Sequence, residues 1–242
     1  MAEQLYLASG GAVGQSLYSS SATAAHTPGT LAYSVVGGRK FRYVKCGATA
    51  LVVGNCIQAP AEKTNHDQLT PSAAAIGAEQ ITVTLGATAV TANQYAGGQA
   101  VIDTTPGEGY AYTIKGHPAA DASATVVLTL ETPIIVALTT SSRVTIAPNP
   151  YNLVIQHPVT TATGVALGGA VFIIVANEYG WIQSGGPGAA LIAGTPGVGQ
   201  PVTSVGAVAG ALSVHSAELN SVATMMVTGV DAKILPVMWE ID

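Results

Sequence analysis

Residues 144–217 contain a single formally charged residue, Glu178, in a stretch of 74 residues. The longest apolar piece, residues 165–176, contains two glycines and is shorter than the roughly 18–20 residues that a helix needs to cross a bilayer. The stretch is also rich in Val, Ile and Leu, whereas disordered segments are poor in such residues and rich in charge. We therefore expect it to be folded, to lie outside a membrane and to be covered by protein.

Low charge extends to the whole chain, in which 9% of residues are charged, against about 25% in an ordinary soluble domain. Such a chain is expected to have little free surface when it works, which is typical of an assembly component. The net charge of −5 disfavours nucleic acid as the main partner, because duplex binding requires several cations against the phosphates.

The chain contains two cysteines, Cys46 and Cys56, which lie close together in the sequence. A disulfide across a hairpin would fit this spacing. The low cysteine density instead favours two buried free thiols. The first ten residues contain no basic stretch followed by an apolar one, so we expect synthesis in a cytosol without a secretory signal.

Glycine, proline and threonine separate short runs of β-branched residues along most of the chain. This pattern predicts an all-β fold of short antiparallel strands in one or two barrel or sandwich regions. Gly37-Gly38 predicts a hairpin turn, the Gly-Gly-Pro-Gly run at 185–188 predicts a tight turn, and 133–139 is one of the predicted strands.

The Pro-Asn-Pro sequence at 148–150 is the best candidate for a domain boundary. We therefore predict an extended N-terminal arm over residues 1–30, a first β region over 31–147 and a second over 148–242. The arm shows no sustained apolar period, so it is expected either to become ordered against a neighbouring molecule or to be a floppy terminus.

The sequence offers little chemistry for catalysis or metal binding. It contains neither a Gly-x-Ser-x-Gly elbow nor a phosphate-binding Gly-x4-Gly-Lys-Ser/Thr loop, and its five histidines lack zinc-site spacing. Asn65-His66-Asp67 could supply ligands to a cation, but a solvated loop with Asx turns is the stronger interpretation. We expect no enzyme activity, no catalytic residue, no metal site and no cofactor.

Half of the eight basic residues fall within seven positions, namely Arg39, Lys40, Arg42 and Lys45. Phe41 and Tyr43 are interleaved with them. Three interpretations are open: a platform for single-stranded nucleic acid, an electrostatic contact with an acidic partner, and an ordinary solvated strand face. The first is disfavoured because no further basic track extends the cluster.

The segment HTPGTLAYSVVGGRKFRYVKCGATALVVGN at 26–55 resembles the start of a family of tailed-bacteriophage head proteins. The resemblance covers most of residues 26–194. Its motifs are structural: turn glycines, a Gly-Tyr-x-Tyr-x-Ile strand at 109–114 and a Tyr-Gly-Trp-Ile-Gln strand at 179–183. The similar stretches after the first are 81–102, 107–120, 128–138, 149–158 and 178–194.

This resemblance implies a decoration, or cement, protein that binds the outer face of a phage head and braces the shell. It implies the major capsid protein as partner, a homotrimer as the common oligomer, and the virion as the location. The basic residues Arg39, Lys40, Arg42 and Lys45 are the candidates for contact with the capsid. We expect contacts between subunits in the uncharged second region, where the depletion of charge is typical of interface cores.

The alternative function is a virion-surface fibre base or a glycan-binding adhesin module. Aromatic rings that lie exposed on a surface can stack on sugar rings. The candidates for such stacking are Tyr95, Tyr110, Tyr112 and Trp181, although these residue types more often anchor cores or interfaces.

Overall fold

A computed structural model describes residues 5–35, 37–215 and 220–242. These residues form β-strands and no helix, which confirms the predicted all-β class. The strands are β1 (Leu5–Leu7), β2 (Leu31–Ser34), β3 (Lys40–Cys46), β4 (Cys56–Gln58), β5 (Thr70–Pro71), β6 (Gln80–Thr84), β7 (Gln99–Thr104), β8 (Ala111–Gly116), β9 (Thr125–Leu130), β10 (Arg143–Ala147), β11 (Asn152–Gln156), β12 (Ala166–Ala170), β13 (Tyr179–Ile192), β14 (Pro201–Thr203), β15 (Ser213–Val214), β16 (Ala223–Met225) and β17 (Lys233–Glu240).

The chain folds into two compact units. The main unit comprises Met1–Ala61 and Pro150–Asp242, and the inserted unit comprises Glu62–Asn149. The chain leaves the main unit after β4 and returns to it in β11, and these two strands pair antiparallel. This division differs from the linear one predicted over 31–147 and 148–242. The physical reason is that β3 and β4 pair with β11, β12 and β13, which come from beyond residue 149.

The main unit contains a closed barrel of five strands. β3, β11, β4, β12 and β13 are each hydrogen-bonded to the next, and β13 pairs back with β3. The β3–β11 pair is parallel and the other pairs are antiparallel. The barrel closes around a buried apolar cluster that includes Val44, Leu51, Ile57, Val154 and Ile182.

Strand β13 continues from the barrel into a second sheet. Its first half pairs with β3, and from Gly185 to Ile192 it pairs with β17. The sheet then extends through β16, β14 and β15 over a second apolar cluster. The tight turn predicted at 185–188 is therefore wrong. The distorted backbone stays within the strand because Gly186 adopts a positive φ of 78° and Gln183 Nε2 donates to the carbonyl oxygens of Gly185, Gly186 and Pro187.

The inserted unit is a curled six-stranded sheet in the order β10-β7-β8-β9-β6-β5. Leu69, next to β5, forms an antiparallel bridge with Val144 of β10, with both N–H···O distances at 2.9 Å. Residues 133–139, predicted as a strand, form only one isolated bridge, between Leu138 and Ala74. This segment buries Ile134 and Leu138, which are four positions apart, rather than the alternate residues that a strand would bury.

The N-terminal segment packs against the barrel of its own chain in its described part, residues 5–30. Strand β1 pairs with β2, and Leu17 is buried in an apolar cluster with Tyr43 and Trp181. Gln15 Nε2 donates to the carbonyl oxygen of Tyr179 at 3.0 Å and its Oε1 accepts from the Tyr43 hydroxyl at 2.6 Å. The expectation of an arm that orders only on a neighbour is corrected, because its scattered leucines insert into this cluster. Residues 1–4 lie outside the described part.

Both cysteines are free and buried, as the low cysteine density predicted. Burial raises the pKa of Cys56 to about 12 and raises the pKa of Cys46 as well. The thiols therefore remain protonated at neutral pH and pack as small apolar groups. No helix in the described ranges has the length and apolarity of a membrane span.

Candidate functional site

Arg42 is the most firmly held of the four predicted capsid-contact residues. Its Nε lies 2.6 Å from Asp242 Oδ2, and its Nη2 lies 2.8 Å from Asp242 Oδ1. The guanidinium also donates to the carbonyl oxygen of Gly29 at 3.0 Å and lies 5.4 Å from the ring centroid of Tyr151. A two-point pair of this kind fixes geometry as well as charge. Arg42 therefore ties β3 to the last residue of the chain.

The ion pair shifts the titration of both partners. The hydrogen bond from Arg42 lowers the pKa of Asp242, and the hydrogen bond to Asp242 raises the pKa of Arg42. Both side chains stay partly accessible to solvent, so screening limits the contribution of the pair to stability. This role of Asp242 was not predictable from local sequence, because 200 positions separate the two residues.

Arg39 contacts the side chains of Gln183 and Phe41 within the main unit. Its Nε and Nη2 donate to Gln183 Oε1 at 3.3 and 3.0 Å, and its guanidinium carbon lies 4.9 Å from the ring centroid of Phe41. Gln183 is buried and is the same side chain that supports the bent backbone of β13. Arg39 thus helps to orient the amide that fixes the path of this strand.

The two lysines differ in exposure. Lys45 is partly buried, with its Nζ 5.6 Å from the ring centroid of Tyr179, whereas Lys40 is exposed at the start of β3. The structure therefore brings all four predicted cations together on one strand and its approach. Lys40 is the most exposed of them, while Arg39, Arg42 and Lys45 contact polar or aromatic groups of their own chain.

The main unit also exposes a group of apolar side chains that no single segment of the sequence reveals. We call it the apolar tract. It consists of nine exposed residues, Tyr18, Val52, Val53, Ile173, Ala189, Met226, Ile234, Pro236 and Met238.

Backbone and side-chain contacts show that the apolar tract is continuous. Val52 and Ile173 flank the antiparallel bridge between Leu51 and Ile174, so they are cross-strand neighbours on its outer side. Tyr18, Val53 and Ala189 line one small cavity of about 190 Å³. Gly54, which also lines that cavity, lies directly against the Ile234 side chain.

The second part of the apolar tract lies on one face of the sheet formed by β13, β17 and β16. Ala189 is opposite Pro236 in the β13–β17 register. Ile234, Pro236 and Met238 alternate along β17 and therefore share this face. The N–H of Met226, just beyond β16, donates to the carbonyl oxygen of Pro236 at 3.2 Å.

The aromatic residues considered for glycan stacking are mostly inaccessible. Tyr95 and Tyr112 are buried in the core of the inserted unit, and Trp181 is buried in the main unit. Tyr110 alone among the four is exposed, at 41%. Three of the four residues proposed to stack on sugar rings therefore cannot do so in this fold.

His66 is a core residue and not part of a solvated loop. It is buried, its Nδ1 lies 2.5 Å from the Tyr95 hydroxyl, and its Nε2 lies 2.9 Å from the carbonyl oxygen of Thr88. Both ring nitrogens are thus occupied by hydrogen bonds, which leaves no lone pair for a cation. Within residues 5–35, 37–215 and 220–242, no group of three or more His, Cys, Asp or Glu side chains could hold a metal ion.

A cleft of about 530 Å³ in the main unit is lined by His157, Ser204, Ser221 and Glu240, among others. Two of these polar side chains hold structural partners. Ser221 donates to the carbonyl oxygen of Ala223 at 3.1 Å, and Glu240 accepts from the Thr224 hydroxyl at 2.7 Å. These bonds do not form the nucleophile–base pair that covalent catalysis requires.

Acid should weaken the main unit through His157. Burial lowers the pKa of His157 below its ordinary value of 6.5. Well above pH 6.5, His157 is neutral in both the folded and the unfolded chain. As the pH falls below 6.5, His157 of the unfolded chain binds a proton before that of the folded chain does. The free energy of unfolding therefore declines by at most about 1.4 kcal/mol per pH unit, until the pH passes the lowered pKa of the folded state. Urea unfolding followed by tryptophan fluorescence reports the main unit, which contains both tryptophans.

The His157→Asn variant should show a flatter dependence of unfolding free energy on pH between 7 and 5, since its amide can still donate where Nδ1 meets the Pro158 carbonyl oxygen at 3.0 Å. His215→Asn is the matched control and should keep the wild-type slope. An unchanged slope in His157→Asn would contradict this assignment.

Comparison with known proteins returned no relative of this chain. No protein-family model, no curated protein and no solved structure matched it. The basis for a functional interpretation is therefore the chain's own surface, charge and fold, together with the sequence resemblance described above.

Proposed function

We propose that this protein is a capsid decoration protein that binds the outer surface of a tailed-phage head as a homotrimer, contacts the major capsid protein and stabilises the shell. The observation that carries the proposal is the uneven distribution of exposed apolar side chains. Twenty large hydrophobic residues are exposed in the described ranges, and all but three belong to the main unit. The three in the inserted unit are Ile76, Tyr110 and Ile135.

Charge is distributed in the opposite way. The inserted unit has seven acidic and three basic residues, a net charge of −4, whereas the longer main unit has six acidic and five basic residues. Exposed apolar surface on one unit is typical of a protein that meets other proteins there. This supports a structural component of an assembly whose main unit makes the contacts.

The resemblance to tailed-phage head proteins supports the shell as the surface that is bound. Binding only to the assembled shell would stabilise it by RT ln(1 + [L]/Kd) at each site, where [L] is the concentration of free decoration protein. The same term would apply at every symmetry-related site. A modest affinity would therefore become a large stabilisation of the whole particle, without any catalytic group.

The basic strand is the proposed electrostatic contact with the shell, and Lys40 is its most accessible cation. Arg39, Arg42 and Lys45 contribute positive charge while holding β3 and β13 in place. Truncation of Arg42 would break its ion pair with Asp242, so a loss of binding in that variant would mix contact with stability. Lys40 acts on Asp242 only through its charge and not through a hydrogen bond, so its replacement disturbs this pair less.

We expect the Lys40→Glu variant to bind mature capsids several-fold more weakly at low salt, with the difference shrinking as salt rises and screens the contact. Co-sedimentation with capsids over a range of salt concentrations measures this. Lys63→Glu, an equal charge change at an exposed position of the inserted unit, is the control and should bind like wild type. Equal binding of both variants at low salt refutes the contact, and failure of the wild type to co-sediment refutes the function.

A further inference from the structure

We infer that the apolar tract of the main unit is the surface through which this chain binds a second copy of itself. The inference rests on the proposed function for the existence of a homo-oligomer, and it names the surface that forms it; its argument does not depend on binding to a phage shell. Its starting point is that nine exposed apolar residues from separate segments form one continuous surface. Six of the nine lie beyond residue 147, in the part of the chain where the sequence predicted subunit contacts.

The size of the apolar tract fits an interface between folded proteins. The exposed surface of its seven largest residues, with their backbone atoms and the Tyr18 hydroxyl included, is roughly 700 Å². A standard interface buries about 800 Å² on each partner. The tract is therefore large enough to supply most of one side of a stable contact.

The charge of the surface is also suited to self-association. None of the nine side chains is charged, as expected for the centre of an interface that is depleted of Asp, Glu and Lys. Arg39 lines the same small cavity as part of the tract, and Arg is a residue type that is enriched in interfaces. The main unit as a whole is nearly balanced, with six acidic and five basic residues. Two main units therefore meet without the repulsion that a strong net charge would cause.

A second copy of the chain is favoured over an external partner because the folded chain meets its own copies first. The apolar tract is complete as soon as one chain has folded, and an uncovered patch of this size is an aggregation liability. Copies of the same chain are present from synthesis onward, whereas any external surface is met later. Covering the tract with another copy therefore protects the protein before it reaches a partner.

The test compares a tract variant with a matched control by sedimentation velocity in the micromolar range. Ile173→Lys/Met238→Lys places two cations on side chains that are 51% and 37% exposed, at opposite ends of the tract. Ile76→Lys/Ile135→Lys makes the same change at exposed sites of the inserted unit, 68% and 57%. We expect wild type and control to sediment as a multiple of 24.2 kDa and the tract variant as a monomer, with association at least a hundredfold weaker.

A second measurement uses a milder substitution that should leave the fold unchanged. Ile234→Cys introduces one accessible thiol, because Cys46 and Cys56 are buried. Its reaction with a maleimide should slow at least tenfold as protein concentration rises, whereas the reaction of Ile135→Cys should not change.

Three outcomes overturn the inference: a monomeric wild type, association that survives in the folded tract variant, and labelling of Ile234→Cys that is independent of concentration. A monomeric wild type whose capsid binding is lost in the tract variant would assign the tract to the shell instead. Association without any capsid binding would support the inference and refute only the proposed function.

Discussion

Replacing Trp181 with alanine is expected to lower the free energy of unfolding of the main unit by about 3–5 kcal/mol, the usual cost of emptying a large aromatic site in a core. The Trp181 ring is fully buried, and its centroid lies 4.9 Å from that of Tyr43 and 5.5 Å from that of His26. Its cluster also contains Leu17. The variant should therefore release the N-terminal segment before the rest of the unit unfolds.

Limited digestion with chymotrypsin, read by mass spectrometry, measures this release. The first lysine or arginine in the sequence is Arg39, so trypsin cannot cleave within the N-terminal segment. Chymotrypsin can cleave it after Leu17 or Tyr18. Trp239→Ala is the matched control, since Trp239 is buried in a different apolar cluster of the main unit. Trp239→Ala should destabilise the main unit to a similar extent, while cleavage after Leu17 or Tyr18 stays slow. Equal cleavage of both variants would contradict local docking of the segment on Trp181.

Replacing Gly168 with alanine is expected to destabilise the main unit by roughly 3 kcal/mol or more, through backbone strain and overpacking together. Gly168 has a φ of +142°, and a Cβ there would lie 2.0 Å from the backbone oxygen of Gln183. That oxygen belongs to β13 and cannot move aside as a flexible side chain would. The added methyl group should force β12 away from β13 and open the barrel at that seam.

Gly199→Ala separates strain from crowding. Gly199 also has a positive φ, +75°, but nothing lies within 4 Å of its hypothetical Cβ, so this variant should cost only about 1 kcal/mol. Urea unfolding followed by tryptophan fluorescence gives both values. Hydrogen exchange of buried amides such as Ile81 in the inserted unit should be unaffected. If Gly168→Ala proves as stable as Gly199→Ala, β12 and β13 do not approach each other as closely at Gly168 as described.

Local patterning predicted strands β6 to β10 of the inserted unit well. In β6 to β10 buried and accessible residues alternate, so hydrophobic periodicity and turn residues were sufficient to place these strands. β13 is different, because it has six consecutive buried residues from Gly180 to Gly185 and is covered on both faces. Its glycines indicated a turn, yet they permit close packing and a bend within one strand.

Long-range pairing accounts for most of what the sequence did not predict. The basic residues of β3 were identified as a cluster, but the partner of Arg42 lies 200 positions away and that of Arg39 lies 144 positions away. Likewise the apolar tract draws side chains from separate segments, each of which contains ordinary isolated hydrophobic residues. Such juxtapositions depend on strand order and register, which local composition does not encode.

The antiparallel pairing of β4 with β11 has a consequence for the order of events on the ribosome. β3 and β4 are synthesised early, but their barrel partners follow only after residue 150. The inserted segment has a core of its own, so it can collapse before the barrel partners of β3 and β4 have been synthesised. Once collapsed, it replaces a loop of nearly 90 flexible residues by a preformed connection, which lowers the entropy lost in joining β4 to β11. The insertion would thus act as an internal folding aid for the unit that encloses it.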